Sequence, residues 1–347
     1  MLKISFDLNH PAHFHLFKNV LSKHEKLGFE PLIFFQEKDK LRSLLKNEGY
    51  IRALRRYNKG DSLSRIIMVP KDIIQMRKIL REEKVLANFG KMSTIGTWAI
   101  RSLNKRSIVF DDSENAKAQL SFYKYLASEV WTPNGFPYLF GKRQKYFNGI
   151  FPLAYLDPDV FQPDISIPKE LGLLDRGKPI LIRIINYQAL HDWKYRHKED
   201  DYLDIIKKLD RNYDLLISVE GGVWSKELLK YKIDFDPSNF LDILAYSKLY
   251  IGSGCSTAQE AAVLGIPSIN TNPYAKGAVL DIIEQDYKFS KRITQKNLNI
   301  EKINKILSIS DIDWRDLRKK MLDDFINVPM MIENLIKREI NTFLNSI

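Results

Sequence analysis

Short apolar runs alternate with amphipathic stretches along most of the chain. The runs at 2–8 and 30–35 are typical of buried strands, whereas the apolar residues in 14–27 and 39–47 recur with helical spacing. Because alternating strands and helices build parallel sheets covered by helices, the first half of the chain predicts such a sheet. The later elements of this half are a strand at 50–54, a helix ending near Glu83, a strand at 85–88, a helix at 93–103 and a strand at 107–110.

A second series of elements follows a proline-bearing passage at 157–168, which disfavours helix and indicates a linker. Since 347 residues exceed the length that a single core usually reaches, two domains are expected. We predict an α/β protein with two Rossmann-like domains, 1–163 and 164–329, whose parallel sheets face a central cleft. The predicted elements of the second series are strands at 179–185, 215–219 and 249–251 and helices at 200–209 and 240–246.

The C-terminal tail, 314–343, is amphipathic, and Pro329 is expected to bend or split it. Periodicity does not determine which domain the tail covers. Its last part, 330–347, is a candidate to complete the first domain.

The chain is basic, with 54 Lys and Arg against 43 Asp and Glu and a formal net charge of +11. Such a charge attracts polyanions, anionic lipid head groups or phosphorylated substrates. The basic runs at 52–59 and 142–145 are not accompanied by a helix-turn-helix, zinc-finger or similar recognition motif, so a nucleic-acid partner is not expected.

The single cysteine, Cys255, excludes an intramolecular disulfide and fits a reducing compartment. The opening segment, 1–7, lacks the basic start and long apolar region of a secretory signal, and no apolar stretch reaches the roughly 18 residues that span a bilayer. We expect a cytoplasmic protein, with peripheral attachment at the inner membrane face as an option.

The segment 250–269 combines a strand, a glycine turn, a helix start and a second strand. Gly252 and Gly254 allow a tight turn, and unpaired N–H groups at a helix start favour a phosphate. The alternative is a βαβ corner in which the glycines only reverse the chain. We expect Ser256 or Thr257 to cap the helix and Glu260 to bind ribose hydroxyls. The polar residues gathered around this helix start are Ser253, Ser256, Thr257 and Glu260.

Three of the six histidines follow the first strand in the segment 7–15. Because Pro11 is expected to exclude a regular helix here, His10 and His13 are predicted on a loop and His15 on the first helical turn. A catalytic base, a metal site and a helix-capping loop are the three interpretations. We favour His13 as the base, assisted by His10 or Asp7, with no bound metal.

Further polar groups stand at predicted strand ends. Asp111, Asp112 and Glu114 follow the strand at 107–110 and form either a helix cap or a wall of the cleft. Arg183 lies among apolar neighbours and is expected to pair or to contact a pyrophosphate. The remaining candidates at these ends are His191 within 186–192 and the pair Glu220 and Gly221.

The glycine turn resembles the donor-binding region of GT-B glycosyltransferases, in particular the N-acetylglucosaminyltransferase that completes the lipid-linked peptidoglycan precursor. The family pattern is Ser-Gly-x-x-Thr-x-x-Glu followed by Gly-x-Pro, which corresponds here to Ser253, Gly254, Thr257, Glu260, Gly265 and Pro267. The resemblance implies that the helix start receives the pyrophosphate and Glu260 the ribose. It also places His13 at the family's glycine-loop histidine, although residues 9–12 replace the glycines.

Almost the whole chain resembles a family of bacterial and archaeal proteins of unknown function, related to this transferase and to UDP-N-acetylglucosamine 2-epimerases. The stretches that carry the resemblance are 10–13, 110–116, 154–158, Arg183 with 189–192, and the glycine turn.

We therefore predict a metal-independent GT-B glycosyltransferase that moves a sugar from an NDP-sugar, UDP-linked, to a glycan or lipid-linked acceptor in surface polysaccharide synthesis. The nucleotide sugar is a co-substrate, and no other cofactor is expected. The first domain is expected to rest on an anionic membrane through residues 136–143. The alternatives are a 2-epimerase-like enzyme, although the Gly-Glu-Arg-Pro-Glu element of those sequences is absent, and a non-catalytic nucleotide-sugar or polyanion binding protein.

Overall fold

The computed structural model describes residues 1–36, 41–50, 54–56, 62–114, 117–185, 199–220, 224–273 and 275–345. The chain divides into two compact units. Unit 1 contains Met1–Val160 and the segment from Ile326 onward, and unit 2 contains Phe161–Phe325. Each unit is built on a parallel sheet with helices in the connections, which confirms the predicted α/β class.

The sheet of unit 1 has seven strands in the order β3-β2-β1-β4-β5-β6-β7. Its interior strand β1 is buried over its last five positions, as expected for a parallel strand covered on both faces. The strands are β1 (Leu2–Leu8), β2 (Phe29–Gln36), β3 (Leu54–Arg56), β4 (Ala87–Lys91), β5 (Arg106–Phe110), β6 (Glu129–Pro133) and β7 (Gln144–Phe147).

The helices of unit 1 pack against this sheet through apolar side chains. In one apolar cluster, Phe34 of β2 packs with Met76 and Leu80. The helices are α1 (Pro11–Ser22), α2 (His24–Leu27), α3 (Leu41–Asn47), α4 (Ser62–Glu82), α5 (Ile95–Arg101), α6 (Lys117–Tyr123), α7 (Leu153–Leu156) and α16 (Val328–Leu344).

Unit 2 has a five-stranded parallel sheet in the order β12-β11-β10-β8-β9. Its strands are β8 (Ile180–Ile185), β9 (Leu215–Glu220), β10 (Leu249–Gly252), β11 (Ser268–Asn270) and β12 (Ser290–Arg292). Its helices are α8 (Ser166–Glu170), α9 (Glu199–Leu209), α10 (Lys226–Leu229), α11 (Phe240–Ala245), α12 (Cys255–Leu264), α13 (Ala278–Asp281), α14 (Ile300–Leu307) and α15 (Asp311–Asp324).

The prediction that Pro11 excludes a helix through the histidine motif is wrong. Helix α1 begins at Pro11, with His10 as its N-cap. Proline is compatible with the first helical position, because the N–H that it lacks would have no intrahelical partner there. His13 therefore lies in the first turn of α1 rather than on a loop, and His15 follows on the same helix.

The C-terminal tail is split, as predicted from Pro329. Helix α15 ends at Asp324, and α16 begins at Val328 with Pro329 in its first turn. The two helices belong to different units, since α15 packs on α12 whereas α16 packs on α1 and α7.

The strand predicted at 85–88 begins two residues later, at Ala87. Lys84 takes a left-handed conformation (φ 53°) after α4, and the amide of Val85 donates to the carbonyl of Leu80. This helix-ending turn occupies the residues that the apolar pattern assigned to the strand.

A buried polar network connects β1, β4 and α5 in unit 1. The Ser93 hydroxyl donates to the carboxylate Oδ2 of Asp7 at 2.6 Å, and the Gly96 amide donates to the same oxygen at 3.2 Å. Each side chain of the network is fully buried, so the hydrogen bonds offset a large desolvation cost. The side chains of the network are Ser5, Asp7, Asn88, Ser93, Thr97 and Ser107.

The network predicts that Gly96→Ala destabilises unit 1, although Gly→Ala within a helix ordinarily stabilises. An added Cβ would lie 2.6 Å from Ser93 Oγ, 2.8 Å from Asn88 Nδ2 and 2.9 Å from Asp7 Oδ2. These atoms cannot move without breaking buried hydrogen bonds, so we expect a loss of about 2 kcal/mol in urea unfolding. The control is Gly149→Ala, whose Cβ would meet atoms no closer than 3.4 Å. Equal stability of the two variants would contradict the prediction.

Candidate functional site

Each sheet has a point where the connections from neighbouring strands leave in opposite directions, and ligands of such folds bind outside the strand ends there. In unit 1 this point lies between β1 and β4, and the loop after β1 leads into His10 and α1. In unit 2 it lies between β8 and β10, where Arg183 is paired in register with Gly252. Arg183 thus lies on the strand next to the turn between β10 and α12.

Helix α12 begins at Cys255, with Gly254 as its N-cap in extended conformation. The prediction that Ser256 or Thr257 caps this helix is wrong, because both lie inside its first turn. Ser256 is exposed, and Thr257 is buried. Because the N-cap is a glycine, it makes no side-chain hydrogen bond to the first amides of α12. Its first N–H groups are therefore available to an anion.

The two glycines of the turn before α12 stand where a side chain would be crowded. A Cβ at Gly252 would overlap the Tyr250 hydroxyl and would lie 3.0 Å from the Arg183 carbonyl oxygen. A Cβ at Gly254 would lie 3.1 Å from Thr257 Oγ1. Both glycines thus let the backbone pass directly over the phenol of Tyr250.

Tyr250 is the buried residue around which the predicted groups gather. Burial raises the pKa of its phenol, the positive charge of Arg183 opposes that increase, and the negative charge of Glu260 adds to it. Arg183 and Glu260 therefore both act electrostatically on the floor of the turn. This role of Tyr250 could not be predicted from the sequence, since a tyrosine in a buried strand is ordinarily a core residue.

Ser253 occupies the tip of the turn. Its side chain is 4% exposed, and its buried hydroxyl has no hydrogen-bond partner among the described residues. Leaving such a group unpaired costs about 1–3 kcal/mol, so a partner from outside the chain would be favourable.

Arg183 is half-buried, and its guanidinium lies over the ring of Phe240, 5.4 Å from the ring centre. This stacking holds the cation at the carboxyl end of β8. Glu260 is half-buried, in the second turn of α12. Glu220 ends β9 and pairs in register with Ile185. Its side chain, Gly221 and the segment 186–198 with His191 lie outside the described residues.

Cys255 opens α12 beside two asparagines that the sequence reasoning missed. The side-chain amides of Asn270 and Asn272 donate to its sulfur at 3.7 and 3.8 Å. Burial raises the pKa of the thiol, and these two hydrogen bonds oppose the increase. Both asparagines follow from the position of β11 beside β10, which only the sheet order reveals.

The histidines of unit 1 surround the first turn of α1. His13 is 8% exposed, and its Nδ1 accepts the Asn9 amide at 3.3 Å. His10 is exposed, and its Nδ1 accepts the Ala12 amide at 3.2 Å. Their ring centres are 6.2 Å apart. The structure therefore brings His10 and His13 together, next to the loop that leaves β1.

His15 and Asp7 make further contacts of their own. The ring of His15 packs against Tyr155, and burial lowers its pKa to about 4, with the charge of Lys18 contributing. Asp7 is fully buried, with its carboxylate Oδ2 bound by Ser93 and Gly96. These hydrogen bonds give Asp7 a part in fixing the turn between β4 and α5.

An acidic cluster lies at the carboxyl end of β5. Asp111 is fully buried, and its carboxylate accepts hydrogen bonds from the Tyr123 hydroxyl and the Ser113 amide. Burial raises the pKa of Asp111 to about 6, while these two donors oppose the increase. Asp112 forms an ion pair with Lys91 at 2.9 Å. Tyr123 and Lys91 are members of this cluster that the sequence reasoning missed, because they come from α6 and β4.

Glu114 follows Asp111 and Asp112 in the chain and is half-buried. Residues 115–116 lie outside the described part. Among the described residues, no group of three or more His, Cys, Asp or Glu side chains is arranged to hold a metal ion. The same part of the chain contains no helix that is long and apolar enough to cross a membrane.

The aromatic segment at 136–143 is only partly exposed. Phe136 and Phe140 are 3% and 2% exposed and stack on each other in the core of unit 1. They do not present an apolar surface, contrary to the expectation for this segment. Tyr138 is 66% exposed, and Lys142 and Arg143 beside it are also exposed.

The fold matches that of several solved structures. The structure of Staphylococcus aureus MnaA with UDP aligns with a TM-score of 0.70 and 12% identity, over 100% of this chain and 98% of that one. The UDP-GlcNAc 2-epimerase of Neisseria meningitidis bound to UDP-GlcNAc aligns with a TM-score of 0.68 and 14% identity, over 99% and 100%. MurG of Acinetobacter baumannii aligns with a TM-score of 0.59 and 16% identity, over 97% and 100%. These likenesses confirm the predicted GT-B-like fold with two Rossmann-like domains.

A curated relative from Methanocaldococcus jannaschii, described as an uncharacterized protein, is 25% identical over 285 residues, which is 78% of this chain and 82% of the relative. A family profile matches residues 2–337. The resemblance noted from the histidine motif and the glycine turn is thereby confirmed: the chain belongs to the family described as protein of unknown function, DUF354.

Proposed function

We propose that this protein is an enzyme that acts on a nucleotide sugar, specifically a UDP-sugar. Its diphosphate would bind at the turn between β10 and α12. The observation that carries the proposal is the buried Ser253 hydroxyl, which has no partner among the described residues and lies at the uncapped start of α12. A phosphate oxygen would accept from this hydroxyl and from the first amides of the helix. The UDP co-structure of S. aureus MnaA and the UDP-GlcNAc complex of the Neisseria epimerase support the choice of nucleotide.

The remaining groups of unit 2 fit the same ligand. Arg183 stands one strand away from the turn and supplies a cation for the diphosphate. We propose that Glu260 accepts hydrogen bonds from the ribose hydroxyls. Glu220 and Gly221 are proposed to border the nucleotide at the end of β9.

In the first candidate reaction the protein is a GT-B glycosyltransferase that moves the sugar to a glycan or lipid-linked acceptor in surface polysaccharide synthesis. The candidate residues of unit 1 for this reaction are His13 and His10, with Asp7 holding the adjoining turn. Positive groups and helix amides around the diphosphate would stabilise the charge that develops as the sugar bond breaks. No metal ion is invoked in this step.

The second candidate is epimerisation at the sugar C2, which one specific observation favours. Removing the C2 proton needs a group that titrates near neutrality, and burial raises the pKa of Asp111 to about 6. Asp112 and Lys91 lie beside it as a second carboxylate and its counter-ion. This cluster stands at the carboxyl end of β5, on the edge of the sheet where such folds bind ligands.

We also propose that unit 1 docks on an anionic membrane through an aromatic and basic surface, defined as Phe122, Tyr125, Tyr138, Lys142 and Arg143. Their side chains are exposed, and the net charge of +11 complements anionic head groups. Tyrosine suits the level of the head groups, because its ring is apolar and its hydroxyl polar.

Ser253→Ala is expected to weaken UDP binding by at least about tenfold, since a hydrogen bond to a charged oxygen contributes about 1.5–3 kcal/mol. The unliganded protein should not lose stability, because the deleted hydroxyl has no partner among the described residues. Calorimetric titration with UDP and thermal unfolding measure the two effects. Ser290→Ala is the matched control, as its hydroxyl is also buried without a partner in the described chain but lies at the amino end of β12. Wild-type affinity in Ser253→Ala, or equal loss in both variants, would refute the site.

Incubation with UDP-GlcNAc in D2O separates the two candidate reactions. The transferase predicts UDP release that depends on an added acceptor, with no deuterium at C2 of the recovered sugar nucleotide. An epimerase would incorporate deuterium at C2 without an acceptor, and Asp111→Asn would abolish that exchange. Mass spectrometry of the nucleotide sugar measures the outcome, and exchange without an acceptor would exclude simple transfer.

Flotation with vesicles tests the membrane surface. We expect the wild type to float with vesicles of anionic lipid at low salt, to remain behind with zwitterionic vesicles, and to be released as salt screens the attraction. The double variant Lys142→Glu, Arg143→Glu should lose most of this binding. Lys26→Glu with Lys84→Glu changes the charge equally at exposed positions just before β2 and β4, two strands that do not neighbour β7. Identical behaviour of the two double variants would speak against a specific surface.

A further inference from the structure

The histidines at the start of α1 accept backbone hydrogen bonds at the same ring nitrogen. The Asn9 amide points to Nδ1 of His13 at 3.3 Å, and the Ala12 amide points to Nδ1 of His10 at 3.2 Å. A backbone amide can only donate, so each Nδ1 must be the acceptor and carry no proton. A neutral imidazole then has its single proton on Nε2.

The local sequence explains this arrangement. The first amides of a helix have no intrahelical acceptor, and Pro11 removes one of them at the start of α1. His10, as the N-cap, accepts the amide of Ala12, while the His13 amide donates to the His10 carbonyl at 2.9 Å. Each ring thus accepts one backbone N–H on its inner nitrogen and has an N–H on its other nitrogen.

This tautomer conflicts with the role of a base. A general base needs a lone pair on the nitrogen that meets the substrate, whereas an Nε2 that carries the proton can only donate. His15 does not supply the missing base, because its burial lowers its pKa to about 4 and its ring packs on Tyr155.

We propose that His13, with His10 beside it, acts as a neutral Nε2–H donor to a negatively charged oxygen of the substrate and does not remove a proton from it. The chemical class of that oxygen is a phosphate oxygen of the acceptor or an oxygen that becomes negative during the reaction. The part of the inference that concerns substrate rests on the proposed function, whereas the tautomer does not.

Nitrogen-15 NMR of the histidine rings in the full-length protein measures the tautomers directly. At about pH 8, above the ordinary titration range of histidine, we expect Nδ1 of His13 and His10 to be unprotonated and Nε2 to carry the proton. His24 is an internal reference of the opposite kind, because its Nδ1 lies 3.1 Å from the carbonyl oxygen of Phe29 and must donate to it. A proton on Nδ1 of His13 overturns the inference, whatever the substrate is.

Two substitutions at His13 test the role in turnover. The side-chain amide nitrogen of glutamine reaches the position of Nε2 and can still donate, whereas asparagine reaches only the position of Nδ1. His13→Gln should therefore keep turnover within about tenfold of wild type, and His13→Asn should lose about a hundredfold or more. Folding is checked for both by thermal unfolding. Equal loss in two folded variants overturns the donor role even if the tautomer is as expected.

The two proposals fail in different ways. If the wild type neither turned over a nucleotide sugar nor bound UDP, the proposed function would be contradicted. The NMR spectrum would still decide the ring tautomer independently. Turnover with the reversed tautomer would keep the function and remove the donor role.

Discussion

The close approach of the backbone to Tyr250 is the constraint on which the rest of the second unit depends. Strand β10 ends directly over this buried phenol, so only glycine fits at 252, and 254 tolerates nothing larger without displacing Thr257. The chain therefore enters α12 without a side-chain cap within the described residues and leaves the first helical amides and the Ser253 hydroxyl for another partner. The turn that packing requires therefore also exposes the groups that a diphosphate would bind.

In the first unit, buried polar side chains fix the loops at the candidate site, whereas in the second unit the candidate site is formed mainly by backbone amides. Asp7 ties the end of β1 to Ser93 and the start of α5, so that the edge of the sheet keeps a fixed shape beneath the histidines. The imidazole of His10 then accepts the Ala12 amide at the start of α1, which a serine or aspartate would ordinarily bind, and the imidazole of His13 accepts the Asn9 amide just before the helix. These hydrogen bonds to Nδ1 leave the proton of each neutral imidazole on Nε2.

Local patterns were sufficient for the alternation of strands and helices, the glycine turn and the break at Pro329. They failed at Pro11, because a proline that opens a helix and one that prevents it have the same sequence appearance. They also failed at Ser256 and Thr257, where the start of α12 is set by the steric limit at Gly252 and not by the preference of hydroxyl residues for caps. Tyr123, Lys91, Asn270 and Tyr250 could not be assigned from sequence, since their partners come from other strands and helices.

The most direct test follows the backbone amides of Cys255, Ser256 and Thr257 by NMR while UDP is added. The account predicts that these three amides and that of Ser253 show the largest changes on saturation with UDP, since the diphosphate would accept their hydrogen bonds. Binding of UDP that leaves them unchanged and perturbs amides elsewhere in the chain would contradict the central claim.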